Sequence, residues 1–175
     1  MDKFREEIQD NLSREADDRI EVVLRDAVFQ AVLDQNNVDT PKALVGQELN
    51  LLAETAEKEQ PGIRENEEAM AMYQKLAERR VALGLILAEI TDKEAMIPAA
   101  DDVEKRLHKL AESYEDPSSF VEWYKSDRKR LSEIEAQVLE RMVVDKLLKD
   151  AEITDKTVSF QELVKPAATE VGKED

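Results

Sequence analysis

Apolar residues recur at every fourth position from the start of the chain, at Phe4, Ile8, Leu12, Ala16, Ile20, Leu24, Val28 and Val32, with Val23, Ala27 and Ala31 beside them. That spacing belongs to one face of a helix and predicts a single helix from the first residues to about Gln35. At about 1.5 Å per residue this helix spans about 50 Å, whereas a compact globule of this length is only about 40 Å across. The pattern therefore predicts an elongated molecule. Asn36-Asn37 breaks the helix. Thr40-Pro41 starts the next one, with a hydroxyl N-cap and a proline whose missing N–H costs nothing at the first helical position. Leu44, Val45, Leu49, Leu52 and Ala56 share one face of this second helix, which stops at Gln60-Pro61-Gly62.

A third helix is predicted from near Asn66, through Met70, Tyr73 and Leu76, to around Ile90-Thr91. It contains Val81-Ala-Leu-Gly-Leu-Ile-Leu-Ala88, a run apolar on every side, which predicts a buried spine covered all round by neighbouring helices. Glu78, Arg79 and Arg80 before the run and Glu89 after it leave it far short of the roughly 20 residues a bilayer span requires. Gly84 weakens the helix by about 1 kcal/mol relative to Ala, which points to close approach of a neighbour there. Pro98 marks a loop, followed by a stripe of Val103, Leu107, Leu110, Ala111 and Tyr114. Asp116-Pro117 opens a brief helix with Phe120, Val121 and Tyr124. Ser126-Asp127 then caps a longer one with Leu131, Ile134, Val138, Met142 and Leu147, widened by Leu139 and Val143. Val158 and Phe160 alternate with Thr157, Ser159 and Gln161, the pattern of an extended, half-buried piece. The helical domain is thus expected over 1–164, with a polar tail at 165–175 too poor in apolar residues to fold.

Composition sharpens this to an all-α fold. Glycine and proline number only 4 and 5, while Ala, Leu, Glu, Lys and Gln abound; straight-chain residues keep their rotamers in helices, and breakers are rare here. The chain has no cysteine, hence no disulfide framework or thiolate metal site, and Met1-Asp-Lys-Phe-Arg has no apolar signal region. Both features fit the cytosol. A formal charge of −16, from 41 acids against 25 bases, repels phosphate backbones and anionic headgroups, so nucleic acid and membrane are not expected partners.

Candidate chemistry is sparse. His108 is the sole histidine and no serine sits in a nucleophile-elbow context, so triads, thiol catalysis and zinc sites lack their parts. Nothing matches a calcium loop and no Gly-rich turn can cradle phosphate, so no catalytic residue, metal or cofactor is expected. His108 reads as a solvated helix residue. Clustering is more informative: Tyr114, Phe120, Trp123 and Tyr124 gather around one loop. A brief helix in a thin helical pair cannot bury all its sides, so Tyr114 and Trp123 are expected to stay partly open, and exposed rigid apolar side chains mark binding surfaces. Leu110, Tyr114, Phe120 and Trp123 form one candidate patch for apolar polypeptide. Met70, Met72 and Tyr73 form a second, softer one, against the plainer reading that they pack on the first helix.

Several blocks carry a family resemblance in register. They are Pro41 with Leu44, Val45 and Glu48; Glu78-Arg-Arg-Val81 leading into Gly84-Leu-Ile-Leu87 and Glu89-Ile90; Tyr114-Glu-Asp-Pro117; Val143-Val-Asp145 with Leu147-Leu148; and Ile153-Thr154 with Ser159-Phe160 and Glu162-Leu163. Together they resemble the C-terminal domain of bacterial trigger factor over nearly the whole chain. The resemblance implies a cytosolic, ATP-independent chaperone that cradles nascent or unfolded polypeptide between helical arms projecting from a helical body, with a fold similar to that of the periplasmic chaperone SurA. The family's ribosome-binding domain and FKBP-like prolyl isomerase domain have no counterpart in these residues, so ribosome docking and isomerase activity are not expected of them. The family's linker helix from the N-terminal domain is likewise outside this sequence, which leaves an apolar groove to be covered. A different reading of the same residues is a helical spacer or dimerisation module with one fixed partner, including a weakly held second copy of the chain.

Overall fold

The computed structural model describes residues 2–112 and 114–164. Its elements are α1 (Asp2–Gln35), α2 (Lys42–Glu59), a 3-10 turn (Ile63–Glu65), α3 (Glu67–Lys93), α4 (Ala100–Ala111), α5 (Pro117–Lys125), α6 (Arg128–Lys149) and α7 (Phe160–Val164), with no strand among the described residues. The fold is all-α. The expected polar tail, 165–175, lies outside the described residues, as does the side chain of Phe4.

Local chemistry sets most of the boundaries. Asn66 accepts from the Ala69 amide at 3.1 Å and starts α3. Asp116 accepts from the Ser119 amide at 3.1 Å, with Pro117 in the first turn of α5. Asp127 accepts from the Lys129 amide at 2.7 Å and starts α6. Each satisfies a backbone donor that has no partner inside its helix. The turn between α2 and α3 uses Gly62 at φ 88°, a conformation that penalises a Cβ, and its amide donates to Glu57 Oε1 at 2.7 Å. Helix α3 ends in a Schellman-type closure in which the Met96 amide donates to the Thr91 carbonyl at 2.9 Å and Ala95 takes φ 48°.

Two of the expected boundaries differ. Helix α2 opens at Lys42 with Pro41, not Thr40, in the cap position and no side-chain cap; a start one residue later leaves the Thr40 hydroxyl outside the position from which it can reach the first-turn amides. The expected extended piece at 157–161 is instead irregular chain over 151–159 followed by α7, with Val158 and Phe160 both exposed. The cause is a reciprocal cap: Ser159 and Glu162 bond each other's backbone amides, at 3.3 Å to Ser159 Oγ and 2.9 Å to Glu162 Oε2. Alternation of side chains was outweighed by that Ser-x-x-Glu signal.

Helices α1, α3 and α6 meet one another and form a body whose buried positions are Phe29, Ile86, Val143 and Val144. Helix α2 folds back along α3 and meets no other helix, making a hairpin with Val45, Ala53 and Ala77 inside. Helices α4 and α5 pack only on each other and on α6. Their core is Val103, Leu107, Ala111, Val121, Ile134 and Val138. Helix α6 is thus a shared beam, with its first half in one core and its second half in the other. The accessible surface is 13877 Å², against about 8,700 Å² for a compact monomer of this mass. The shape is open, as the length of α1 implies.

The spine of α3 is a correction. Within Val81–Ala88 only Ile86 is buried, while Gly84 and Ala88 are exposed. The two exposed residues of the run are both small and lie four apart on one face, so leaving that face open exposes little apolar area. No neighbour approaches Gly84: a Cβ there meets nothing within 4 Å. Gly84→Ala should therefore raise stability by up to about 1 kcal/mol in urea denaturation, since it removes backbone freedom without a clash. Leu107→Ala, at a position 0% exposed, should lower it by about 3 kcal/mol. Destabilisation by the alanine at 84 would mean that the open face is occupied.

Candidate functional site: apolar side chains left open on the arms

The aromatic residues form a ladder at the junction of α4 and α5. Tyr114 stacks on Phe120 with ring centroids 4.2 Å apart, Phe120 tilts against Tyr124 at 4.8 Å, and Trp123 meets Tyr124 edge-on at 5.1 Å. The inner members Phe120 and Tyr124, with Leu110, pack on the α4–α6 core. The outer members stay open, Tyr114 at 56% and Trp123 at 54% exposure. A nine-residue helix lying on two neighbours has no third element to cover its far side.

Trp123 is nonetheless held in place. The Arg130 guanidinium lies over its ring at 3.9 Å, and Arg130 also donates to the Trp123 carbonyl at 2.8 and 3.1 Å and to Ser126 Oγ at 3.2 Å. One side chain thus ties the turn between α5 and α6 and backs one ring face, leaving a flat, rigid apolar surface for contact. Two carboxylates of the same arm are stabilised in their charged form. The Ser119 hydroxyl and amide hold Asp116 below its ordinary value of 3.8. The Lys125 ammonium, 2.6 Å from Glu104, lowers that group as well.

The second patch lies apart from the first. Met72 is 63% exposed at the start of α3, while Met70 and Tyr73 are half-buried. Helix α3 does not meet α4 or α5, so the two patches belong to different arms. His108 is exposed on α4, 3.8 Å from Glu104, as a solvated residue. No group of three potential metal ligands occurs among the described residues, and no described helix is long and apolar enough to cross a membrane.

Further open apolar residues escaped sequence reasoning. Ile8, Leu12, Ile20, Val23 and Leu24 are all exposed along α1, whose described buried residue is Phe29. The sequence contained the warning. Residues four apart on a helix advance about 40° beyond a full turn, so a strict every-fourth stripe winds around α1 and no single straight neighbour can cover it. Leu44 and Leu51 of α2 are likewise exposed and flank Val81, Gly84 and Leu85 in a shallow groove.

Taken together, these features define an open all-helical scaffold: a three-helix body, two arms, and apolar side chains presented to solvent on each. Comparison with known proteins places it. The family model for the bacterial trigger factor protein C-terminus matches residues 1–149, and the chain belongs to that family. It is 40% identical to the trigger factor of Cupriavidus pinatubonensis over 93% of this chain, 40% to that of Paraburkholderia phymatum over 96%, and 39% to that of Burkholderia thailandensis over 96%. The chain spans 37%, 39% and 38% of those relatives' lengths.

The capped carboxylate gives a direct check. A pKa depressed by folding contributes stability above the ordinary value, and that stability is lost as pH falls through the lower folded value. In an NMR titration the Asp116 carboxyl carbon should have its midpoint below 3.8, and Ser119→Ala should move it upward. A midpoint at or above the ordinary value contradicts the cap.

Proposed function

We propose that this chain is the chaperone part of a trigger factor, an ATP-independent holdase of the cytosol that binds apolar segments of nascent or unfolded polypeptide along its arms. The observation that carries the reading is the pair Tyr114 and Trp123, open to water yet held rigidly by Phe120 and Arg130. The Leu110, Tyr114, Phe120 and Trp123 patch is the main client surface, and Met70, Met72 and Tyr73 are an adaptable second one. Burying client apolar surface contributes about 25 cal/mol per Å² before association costs, so one patch is weak. Separated patches on two arms act on one client through effective concentration, provided its unfolded chain spans both.

Release needs no nucleotide. A client that folds buries its own apolar segments and removes the groups the patches hold, so the scaffold favours unfolded over native chains by mass action. The charge of −16 keeps empty copies apart despite their open apolar surface. No step in this cycle is catalytic.

Trp123 is the only tryptophan and reports directly. Titration with several unrelated, permanently unfolded, tryptophan-free polypeptides should give saturable emission changes for each, and none with the same proteins folded. Tyr114→Ala should weaken binding roughly fivefold, the loss of about 1 kcal/mol of ring burial. Response to a single partner, or to none, contradicts the holdase reading.

A further inference from the structure

A groove of about 620 Å³ runs between α1, α4 and α6, and among its lining are Ile20 and Leu24 of α1, Leu110 of α4, and Val144 and Leu148 of α6. Helix α1 meets α6 directly, but the backbones of α1 and α4 do not come into contact. The walls are joined by long charged side chains reaching across the opening. Lys109 Nζ of α4 lies 2.7 Å from Asp18 and 3.5 Å from Glu21 of α1. Arg141 of α6 reaches the other Glu21 oxygen at 2.9 Å, and Arg14 lies 3.9 Å from Glu112.

Apolar contact holds this stretch of α1 only in part: Val22 is half-buried, but Ile20 is 50% exposed and Leu24 is exposed as well. The firm anchor is at the other end, where Phe29 is buried in the body. Helix α7 rides on α1, with Arg19 Nε donating to the Leu163 carbonyl at 2.9 Å. It is joined to α6 through the irregular segment 151–159, which leaves it free to follow α1.

We propose that α1 is a salt-releasable jaw: an ionic clamp centred on Lys109, between Asp18 and Glu21, closes it across the groove toward α4, and loss of the clamp lets its N-terminal part swing outward about the Phe29 anchor, uncovering Leu110, Val144 and Leu148. Exposed ion pairs are individually weak and are screened as the Debye length falls from about 10 Å at 0.1 M salt to about 3 Å at 1 M. A buried apolar contact has no such sensitivity. Asp18 and Glu21 raise the pKa of Lys109 above its ordinary 10.5, so near neutrality the clamp opens through ionic strength or a competing charge and not through loss of that proton. The device touches the proposed client surface only through Leu110, and its test reads the position of α1 alone.

The chain has no cysteine, so spin labels can be placed freely. Pulsed electron paramagnetic resonance on the full chain with Asp10→Cys and Lys105→Cys reads the α1–α4 separation, and Lys105→Cys with Glu133→Cys reads α4–α6 as a reference. The α1–α4 distribution should be narrow in 20 mM NaCl and should lengthen and broaden in 1 M NaCl, the open fraction rising several-fold while the reference stays fixed. Lys109→Gln, which removes both of its contacts with α1, should show the broad distribution already at 20 mM, with helix content by circular dichroism unchanged. An α1–α4 distance indifferent to salt, a Lys109→Gln distribution like the parent's, or an equal change in the reference pair overturns the clamp.

Discussion

An α-helix is about 10 Å across and is fully covered only by several neighbours, and most helices here have too few. Helix α2 meets α3 alone among the helices, and α4 and α5 meet only each other and α6. The rest of the structure follows from that scarcity of neighbours. The large side chains that reach full burial are Leu107, Ile134 and Val143, all at or beside the shared beam α6. Away from α6 the apolar faces exceed the surface available to cover them, and the excess stands in water as Tyr114, Trp123, Met72 and the stripe of α1. The exposed apolar surface is a product of the architecture rather than a local defect.

Such a surface invites self-association, and the chain counters this with charge. No polar or charged side chain is buried among the described residues; the ions lie on the outside, where they solvate the scaffold and bridge helices. Lys109 between Asp18 and Glu21, Arg80 on Glu48 and Lys146 on Glu94 each tie one helical unit to another across the surface. Pairs of this kind add little stability one at a time. Their value here is positional, since they orient long helices that share small cores. Arg130 combines both roles, fixing the α5–α6 turn and backing the Trp123 ring.

The helices were legible because their ends are written in side chains: Asp116-Pro117 and Asp127 cap as expected, and Asn66, near which a helix was expected to begin, caps α3. The short α7 was equally legible in Ser159-x-x-Glu162 but was hidden behind the alternation of Val158 and Phe160. What periodicity could not supply was the number of neighbours. The stripe of α1 and the run Val81–Ala88 both report that apolar residues share a helix, not that anything covers them. Ile8, Leu12, Ile20 and Leu24 of the α1 stripe, and Gly84, proved open for that reason. The exposure of Tyr114 and Trp123 was foreseeable from the brevity of α5. The fixation of Trp123 by Arg130 was not, because it depends on a contact seven residues away across a turn.

In the proposed function, the open apolar side chains, and not the cores, hold other polypeptides. Methyl and aromatic NMR with an unfolded client tests it most directly. Addition of a reduced, carboxymethylated protein should broaden and shift the Tyr114, Trp123 and Met72 signals while leaving those of Leu107, Ile134 and Val143 in place. Shifts concentrated in the core residues, or none at the open ones at saturating client, would contradict the account.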